Sequence, residues 1–480
     1  MRIKRQSAIF IWHLIFFTAL ELSAWAQSGA TVQGNWLGEL DAGAVKLKLV
    51  LHVTSAADGQ WRATLDSPDQ GANGLKVDSL TVEGAAVKFT MATLGAMFEG
   101  ALKGDELAGT FKQGGANLPL VFKRATAADL APPKRPQTPQ SPFPYVAEDV
   151  TYDNPAAQIK LAGTLTLPPA TTPVPAVILV SGSGPQNRNE ELMGHQPFWV
   201  LADHLTRAGI AVLRVDDRGV GKSTGSFATA TSEDFASDVL AGIAYLKTRK
   251  ELDAKKLGVI GHSEGGLIAP LCAAKSPDVA FIVMMAGPGV TGEEILYEQA
   301  ALLARASGAN ENAITQNRKI QEKIFAILKT EKDPAAADKK LAEMITAEAA
   351  AAPAAQKKAL EATLNAQIKA VNSPWFRLFL TFDPRPVLQQ VKVPVLALNG
   401  ELDLQVPPQQ NLPEIAKALT AGGNKNFKTV TLPKLNHLFQ TAQTGAVSEY
   451  SKIEETIAPA ALTLMTEWIA NQTGLANKPR

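Results

Sequence analysis

Gly261-His262-Ser263-Glu264-Gly265 fits the pattern G-x-S-x-G and presents a serine hydroxyl between two glycines. Leu257-Gly258-Val259-Ile260 before it is a short apolar run that reads as a buried strand. Gly266 to Ala273 after it reads as a helix. A strand-to-helix turn this tight holds its central residue at strained backbone angles and lifts the hydroxyl above the sheet edge. The flanking glycines answer a steric need, because the strand and helix backbones run close together there. Ser263 is therefore a candidate nucleophile. A serine hydroxyl is a weak nucleophile at neutral pH. It needs a base within hydrogen-bond reach and a third group that fixes the tautomer of that base.

The chain has six histidines, His13, His52, His195, His204, His262 and His437, and only His437 lies downstream of Ser263. Elbow serines of this kind take their partners in the chain order serine, acid, histidine. That order selects His437, in Leu432-Pro433-Lys434-Leu435-Asn436-His437, as the base. The acid is expected after the strand Val393 to Leu398, where Asn399 to Pro407 offers Glu401 and Asp403. The spacing Gly-x-x-Asp-x-x-Val-Pro sets Asp403 at the tip of the turn, and Glu401 reads as a solvated neighbour. His262 is expected to point away from the serine and to be structural.

Attack on a carbonyl builds negative charge on its oxygen, which backbone N–H groups can receive. Glu264 N–H, next to the nucleophile, is the first expected donor. The second comes from Val180-Ser181-Gly182-Ser183-Gly184-Pro185-Gln186, with Ser183 N–H preferred over Gly184. Asp217-Arg218-Gly219-Val220-Gly221-Lys222-Ser223 lacks the phosphate-loop spacing and reads as a structural loop. Asn187-Arg188-Asn189-Glu190-Glu191 reads as a solvated loop rather than an amine-binding rim. No H-E-x-x-H occurs and the one cysteine, Cys272, cannot form a thiolate cluster, so no metal site is expected.

These groups need a scaffold. From about residue 145 onward apolar strands alternate with helical stretches, which predicts a mostly parallel sheet covered on both faces. Strands are expected at 176–180, 210–215, 257–260, 281–285, 393–398 and 428–432. The rhythm breaks at about 290–385, a stretch rich in Ala, Lys and Glu. Leu296 and Leu303, then Ile320, Ile324 and Leu328, recur at helical spacing, so this reads as an inserted helical cap. Breaks between its helices are expected at Asp333-Pro334 and Ala352-Pro353.

Residues 28–124 read differently. Short alternating strands such as Val45 to Val53, Val77 to Val82 and Val87 to Met91, with glycine turns between them, predict a small all-β barrel or sandwich. His52 reads as a sheet-face residue there. Pro132, Pro133, Pro136, Pro139, Pro142 and Pro144 mark 125–144 as a linker. At the start, Arg2, Lys4 and Arg5 precede the apolar run Ala8 to Leu20, and Ala24-Trp25-Ala26 follows. That reads as a signal peptide over 1–26, cleaved before Gln27, in a protein exported to the periplasm or the medium. After its removal no stable membrane span is expected.

The chain has 480 residues, 46% of them hydrophobic and 19% charged, in keeping with a globular protein of two or three domains. A net charge of +1 gives no general attraction to nucleic acid. An exported chain with one cysteine has no internal disulfide, and Cys272 reads as a small buried apolar residue.

Taken together, Ser181 to Gln186, Asp217 to Ser223, Gly261 to Gly266, Asp403 and His437 make the chain resemble the α/β-hydrolase superfamily over roughly 145–480. More narrowly it resembles bacterial serine carboxylesterases that join an N-terminal β domain to a capped hydrolase domain. The resemblance implies an α/β-hydrolase fold and hydrolysis of short-chain carboxylic esters through an acyl-enzyme, with no cofactor. The same residues could cleave amides, so a serine peptidase or acylaminoacyl-type hydrolase is the alternative. Ser181 stands where many relatives have histidine. The β domain is open to a ligand or partner that its sequence does not specify.

Overall fold

The computed structural model describes residues 31–41, 46–56, 59–68, 72–113, 116–131, 134–351 and 368–475. The expected signal peptide and the Ala352-Pro353 break lie outside the described residues.

The N-terminal domain is built from β1 (Gly34–Asp41), β2 (Lys46–Ser55), β3 (Trp61–Ser67), β4 (Ala72–Lys76) and β5 (Ser79–Glu83). It continues with β6 (Ala86–Met91), β7 (Ala96–Lys103), β8 (Glu106–Gln113) and β9 (Ala116–Arg124). They form one sheet in the order β4-β3-β2-β1-β9-β8-β7-β6-β5. Its two edge strands, β4 and β5, are neighbours in sequence, separated only by Val77 and Asp78. The chain itself thus bridges the seam of a curled, barrel-like sheet. Alternating side chains fill the inside. Trp36, Phe89, Phe98 and Phe122 are fully buried. The Phe98 ring lies 5.2 Å from Phe89 and 5.6 Å from Phe122, between centroids. His52 is a half-exposed sheet-face residue, 2.8 Å from Asn35 Oδ1 and 2.9 Å from Asp66 Oδ2.

The second domain holds β10 (Val146–Asn154), β11 (Ile159–Leu167), β12 (Val174–Val180), β13 (Ala211–Val215) and β14 (Leu252–His262). It is completed by β15 (Phe281–Met285), β16 (Val395–Gly400) and β17 (Phe427–Leu432). The sheet order is β10-β11-β13-β12-β14-β15-β16-β17. The six strands from β12 to β17 are parallel, while β10 and β11 join antiparallel at one edge. Helices α1 (Pro197–Arg207), α2 (Ser232–Lys247) and α3 (Glu264–Lys275) lie in the connections. On one face α2 and α3 bury Ile178, Val259 and Met284; on the other α1 buries Val177, Ile260 and Val283. Apolar residues on both sides of the central strands are what a doubly covered sheet requires.

The cap enters between β15 and β16 as α4 (Gly292–Ala306), α5 (Glu311–Thr330), α6 (Pro334–Ala351) and α7 (Pro374–Thr381). Pro334 opens α6, where proline's fixed φ suits a helix start. Phe325, Leu328, Leu341 and Leu380 give the cap a core of its own. Beyond the cap, α8 (Arg385–Leu388), α9 (Pro408–Ala421), α10 (Val447–Tyr450) and α11 (Pro459–Thr473) complete the domain.

The linker is fastened to the hydrolase domain. Arg135 donates to the carbonyls of Met193 (2.9 Å), Ser451 (2.9 Å) and Ile453 (3.0 Å). Gln137 donates to Ile457 O (2.7 Å) and accepts from the Thr456 and Ile457 N–H groups. Phe143 stacks on Tyr145, whose hydroxyl donates to Asp203 at 2.7 Å. Proline density explains why the segment stays extended, but these polar anchors decide where it lies. Arg135→Ala strands three carbonyls and is expected to cost about 1.5–3 kcal/mol, read as a lower urea midpoint of the full chain. An unchanged midpoint would mean that the anchors carry no weight.

Candidate active site

Ser263 follows β14 directly and caps α3 with φ +53° and ψ −116°. A serine rarely adopts a positive φ, and the surroundings must hold it there. Ser263 N–H donates to Met285 O at 2.8 Å, and Ser263 O accepts from Gly266 N–H at 2.9 Å. The glycines leave no alternative residue. A Cβ on Gly261 would lie 1.8 Å from Gly265 O, and one on Gly265 would lie 2.1 Å from Val180 O. The Glu264 N–H stands at the start of α3, where the helix dipole is positive.

Asp403 and His437 come together. His437 Nδ1 lies 2.9 Å from Asp403 Oδ2 and 3.0 Å from Oδ1. Both side chains are buried. Asp403 Oδ1 also accepts from the Gln405 N–H (2.9 Å) and the Val406 N–H (2.8 Å), so the carboxylate is fixed before the ring meets it. The turn that carries His437 is tied by buried Asn436, whose Oδ1 accepts from the Leu438 and Gln440 N–H groups. Gly400 lets β16 pass under this turn: a Cβ there would lie 2.2 Å from Leu435 O. Glu401 is exposed and accepts from Lys434 N–H, as a solvated neighbour should. Among the described residues Ser263 Oγ makes no hydrogen bond to His437; such contacts are often loose until substrate binds.

The loop after β12 lies against the nucleophile. A Cβ on Gly182 would stand 3.2 Å from Ser263 Cβ. Ser183 follows and is exposed. Gly182 N–H is already used, donating to Glu190 Oε1 at 2.8 Å. Among the described residues neither Ser183 N–H nor Glu264 N–H has a protein acceptor. Asp217 clamps the loop at both ends, accepting from Ser181 Oγ (3.0 Å) and Gln186 N–H (2.9 Å). Arg218 next to it forms a buried pair with Asp238 at 2.7 Å, as expected of a structural loop. Burial pushes the Asp217 carboxyl up to about 7, with the charges of Glu264 and Glu190 adding to the effect.

Two groups at the site were not singled out from sequence. Glu190, expected in a solvated loop, is buried, because its side chain turns inward to Gly182 N–H and to His262 Nδ1 (2.9 Å). Trp375 at the start of α7 donates from Nε1 to Glu264 Oε1 at 2.7 Å, and Ser232 Oγ donates to the same oxygen at 2.6 Å. Burial raises the Glu264 carboxyl above its ordinary range, against these two hydrogen bonds. The cap therefore touches the residue that follows the nucleophile. The Trp375 ring stacks 5.3 Å from Phe379, beside Val290, Ile295 and Val406. His262 is buried and structural, and Cys272 is a buried thiol pushed up to about 12 by burial.

Trp375→Phe keeps an aromatic ring against Phe379, though a smaller one, and removes the donor. It is expected to lower stability by about 1–3 kcal/mol in urea unfolding, because the buried Glu264 carboxyl group loses a partner. Asp217 has a second signature. Its folded value, about 7, exceeds the ordinary 3.8, so its contribution to stability falls as the pH rises from 3.8 towards 7 and is constant above. Asp217→Asn should abolish that fall, seen as a smaller difference in Tm between about pH 5 and about pH 8.

The protein family described as serine aminopeptidase S33 (Hydrolase_4) matches residues 197–441, just over half of the chain. Esterase EstD of Thermotoga maritima is 27% identical over 320 residues, covering 66% of this chain and 65% of that relative. The chain thus spans just under two thirds of that relative's length. Among solved structures, the Pyrococcus furiosus esterase Pf2001 is similar with a TM-score of 0.41 at 15% identity, covering 72% of this chain and 98% of that one. The α/β hydrolase GrgF from Penicillium sp. sh18 gives 0.44 at 15% identity, covering 69% and 100%. The matched stretch runs from α1 past the His437 turn and holds Ser263, Asp403 and His437 in that order, and the chain belongs to this S33 family of α/β hydrolases, with an all-β domain ahead of the hydrolase domain.

Proposed function

We propose that this chain is an exported serine carboxylesterase that hydrolyses short-chain carboxylic esters through an acyl-enzyme. The observation that carries the reading is the buried Asp403–His437 pair, reached in the order that an elbow serine requires. Ser263 Oγ attacks the ester carbonyl while His437 Nε2 takes its proton. Asp403 holds Nδ1–H and stabilises the imidazolium that forms. The tetrahedral oxyanion is received by the N–H groups of Ser183 and Glu264, both without protein acceptors. Collapse of the intermediate breaks the bond to the alcohol, which leaves with the proton from His437. Water then repeats the cycle on the acyl-serine and releases the acid. No cofactor takes part.

An ester as the substrate draws on the likeness to Esterase EstD. Export draws on the basic, apolar and small-residue pattern of the first 26 residues. A second reading, amide hydrolysis, is favoured by the family's description as serine aminopeptidase. In either reading the cap side chains around Trp375 and Phe379, joined to Glu264 beside the nucleophile, shape the substrate pocket.

Ser263→Ala is expected to lower turnover of p-nitrophenyl acetate on the order of 10⁶-fold, as loss of a triad nucleophile does. Near-normal turnover would overturn the mechanism. Side-by-side kcat/KM values for p-nitrophenyl acetate and an aminoacyl-nitroanilide separate the two readings. The ester is expected to be faster; a faster anilide would replace the esterase reading with the peptidase one.

A further inference from the structure

His262 precedes the nucleophile, yet its ring faces away from Ser263 chemistry and is held at both nitrogens. Nδ1 lies 2.9 Å from Glu190 Oε1, and Nε2 lies 3.0 Å from the backbone oxygen of His437. The same Glu190 Oε1 accepts the Gly182 N–H at 2.8 Å. One carboxylate oxygen and one imidazole thus join three separate stretches: the loop after β12, the end of β14 and the turn after β17.

The protons of this unit can be counted. A carbonyl oxygen only accepts, so His262 Nε2 carries a hydrogen. Nδ1 faces a carboxylate, so a second proton lies between Nδ1 and Glu190. Two ring-associated protons and one carboxylate leave a buried unit of zero net charge. Both side chains are buried, Glu190 at 6% and His262 at 5% exposure. Glu190 is moreover held at φ +50°, a left-handed backbone that a glutamate adopts only when its surroundings impose it. A buried pair of this kind contributes little net stability over an apolar filling, so its use lies in fixing geometry. The His262 and His437 rings are 4.9 Å apart between centroids, so the pair borders the base.

We propose that Glu190 and His262 are positioning residues: they brace the oxyanion loop, the nucleophile elbow and the base turn in one register, so that the serine, the base and the oxyanion donors meet in the transition state. This rests on the serine-hydrolase reading above. The brace touches no substrate. Its loss therefore acts on kcat and leaves KM nearly unchanged.

The test is a double-mutant cycle on the full chain with p-nitrophenyl acetate. Glu190→Gln keeps the shape but removes the negative charge: with Nε2–H kept for the His437 carbonyl, Nδ1 of a neutral ring is an acceptor facing the amide oxygen that Gly182 N–H needs. His262→Gln keeps a donor for the His437 carbonyl and loses the tie to Glu190. Each is expected to lower kcat about 10- to 100-fold with KM within about 3-fold, since misplacement by about 1 Å costs about 10²-fold. The double variant is expected to match the worse single one, because both break the same brace. Losses that multiply, a change confined to KM, or an unchanged kcat would overturn the proposal. Near-ultraviolet circular dichroism identifies a variant that has lost its fold; the remaining single variant then decides through its kcat and KM. Ser263→Ala, run alongside, separates the two levels. If it retains activity, the reading of the reaction fails; if it is inactive while the brace variants are normal, only the brace fails.

Discussion

The site depends on how closely backbones approach one another at the carboxyl ends of the parallel strands. Gly261 and Gly265 let β14 turn directly into α3, and Gly265 lets that helix rest on the Val180 carbonyl at the end of β12. Gly266 meets Gly287 after β15, where a Cβ would lie 2.6 Å from the facing Cα. Gly400 passes beneath the turn that carries His437. With any side chain at these points the strands would separate, and the serine, the oxyanion loop and the base would separate with them. The positive φ of Ser263 is one product of this crowding. It is held by a hydrogen bond to Met285 and by the helix that follows, not by anything the serine side chain does.

A second theme is the handling of buried negative charge. Asp403, Asp217, Glu190 and Glu264 all lie around one serine, each with at least two donors. Unpaired carboxylates so close together would repel one another and oppose any further negative charge beside the serine. Here the environment divides them. Burial raises Asp217 and Glu264 towards the neutral acid, while Glu190 faces His262, whose ring is shifted upward because burial, the largest single effect, is outweighed by Glu190, the His437 carbonyl and Asp403 acting together. Asp403 is joined to His437 and two backbone N–H groups.

What could be read from the sequence was what is local or ordered along it. The elbow, the turn at Asp403 and the six parallel strands announce themselves through short apolar runs, glycines and a fixed chain order. His437 emerged because no other histidine follows Ser263. The unread parts depend on distant pairings. Glu190 and His262 are 72 residues apart, and Trp375 and Glu264 are 111 apart. Nothing in Asn-Glu-Glu distinguishes an inward carboxylate from a solvated one; burial comes from the close approach of three loops. Strands β10 and β11 were missed because Val146 to Asn154 alternates with charged residues and Ile159 to Leu167 carries a glycine and two threonines. Only β10 is the edge strand and largely exposed, so it needs little apolar surface, whereas β11 is buried over most of its length but fills its place with Gly163, Thr164 and Thr166 rather than a continuous aliphatic run.

The linker adds a matter of timing. Arg135 and Gln137 bind to 451–457, at the far end of the hydrolase domain. Strands β1 to β9 need only residues up to Arg124 to close their sheet. During synthesis, when domains form as their residues emerge, the β domain can therefore be complete long before the linker finds its acceptors. The acceptors at Ser451, Ile453 and Ile457 follow the linker by more than 300 residues, whereas Met193 is made much sooner. The late acceptors lie beside the base turn, because Gln440 Nε2 donates to Glu455 O and Thr441 N–H to Glu455 Oε2. The closure that seats the linker is thus joined to the one that completes the surroundings of His437.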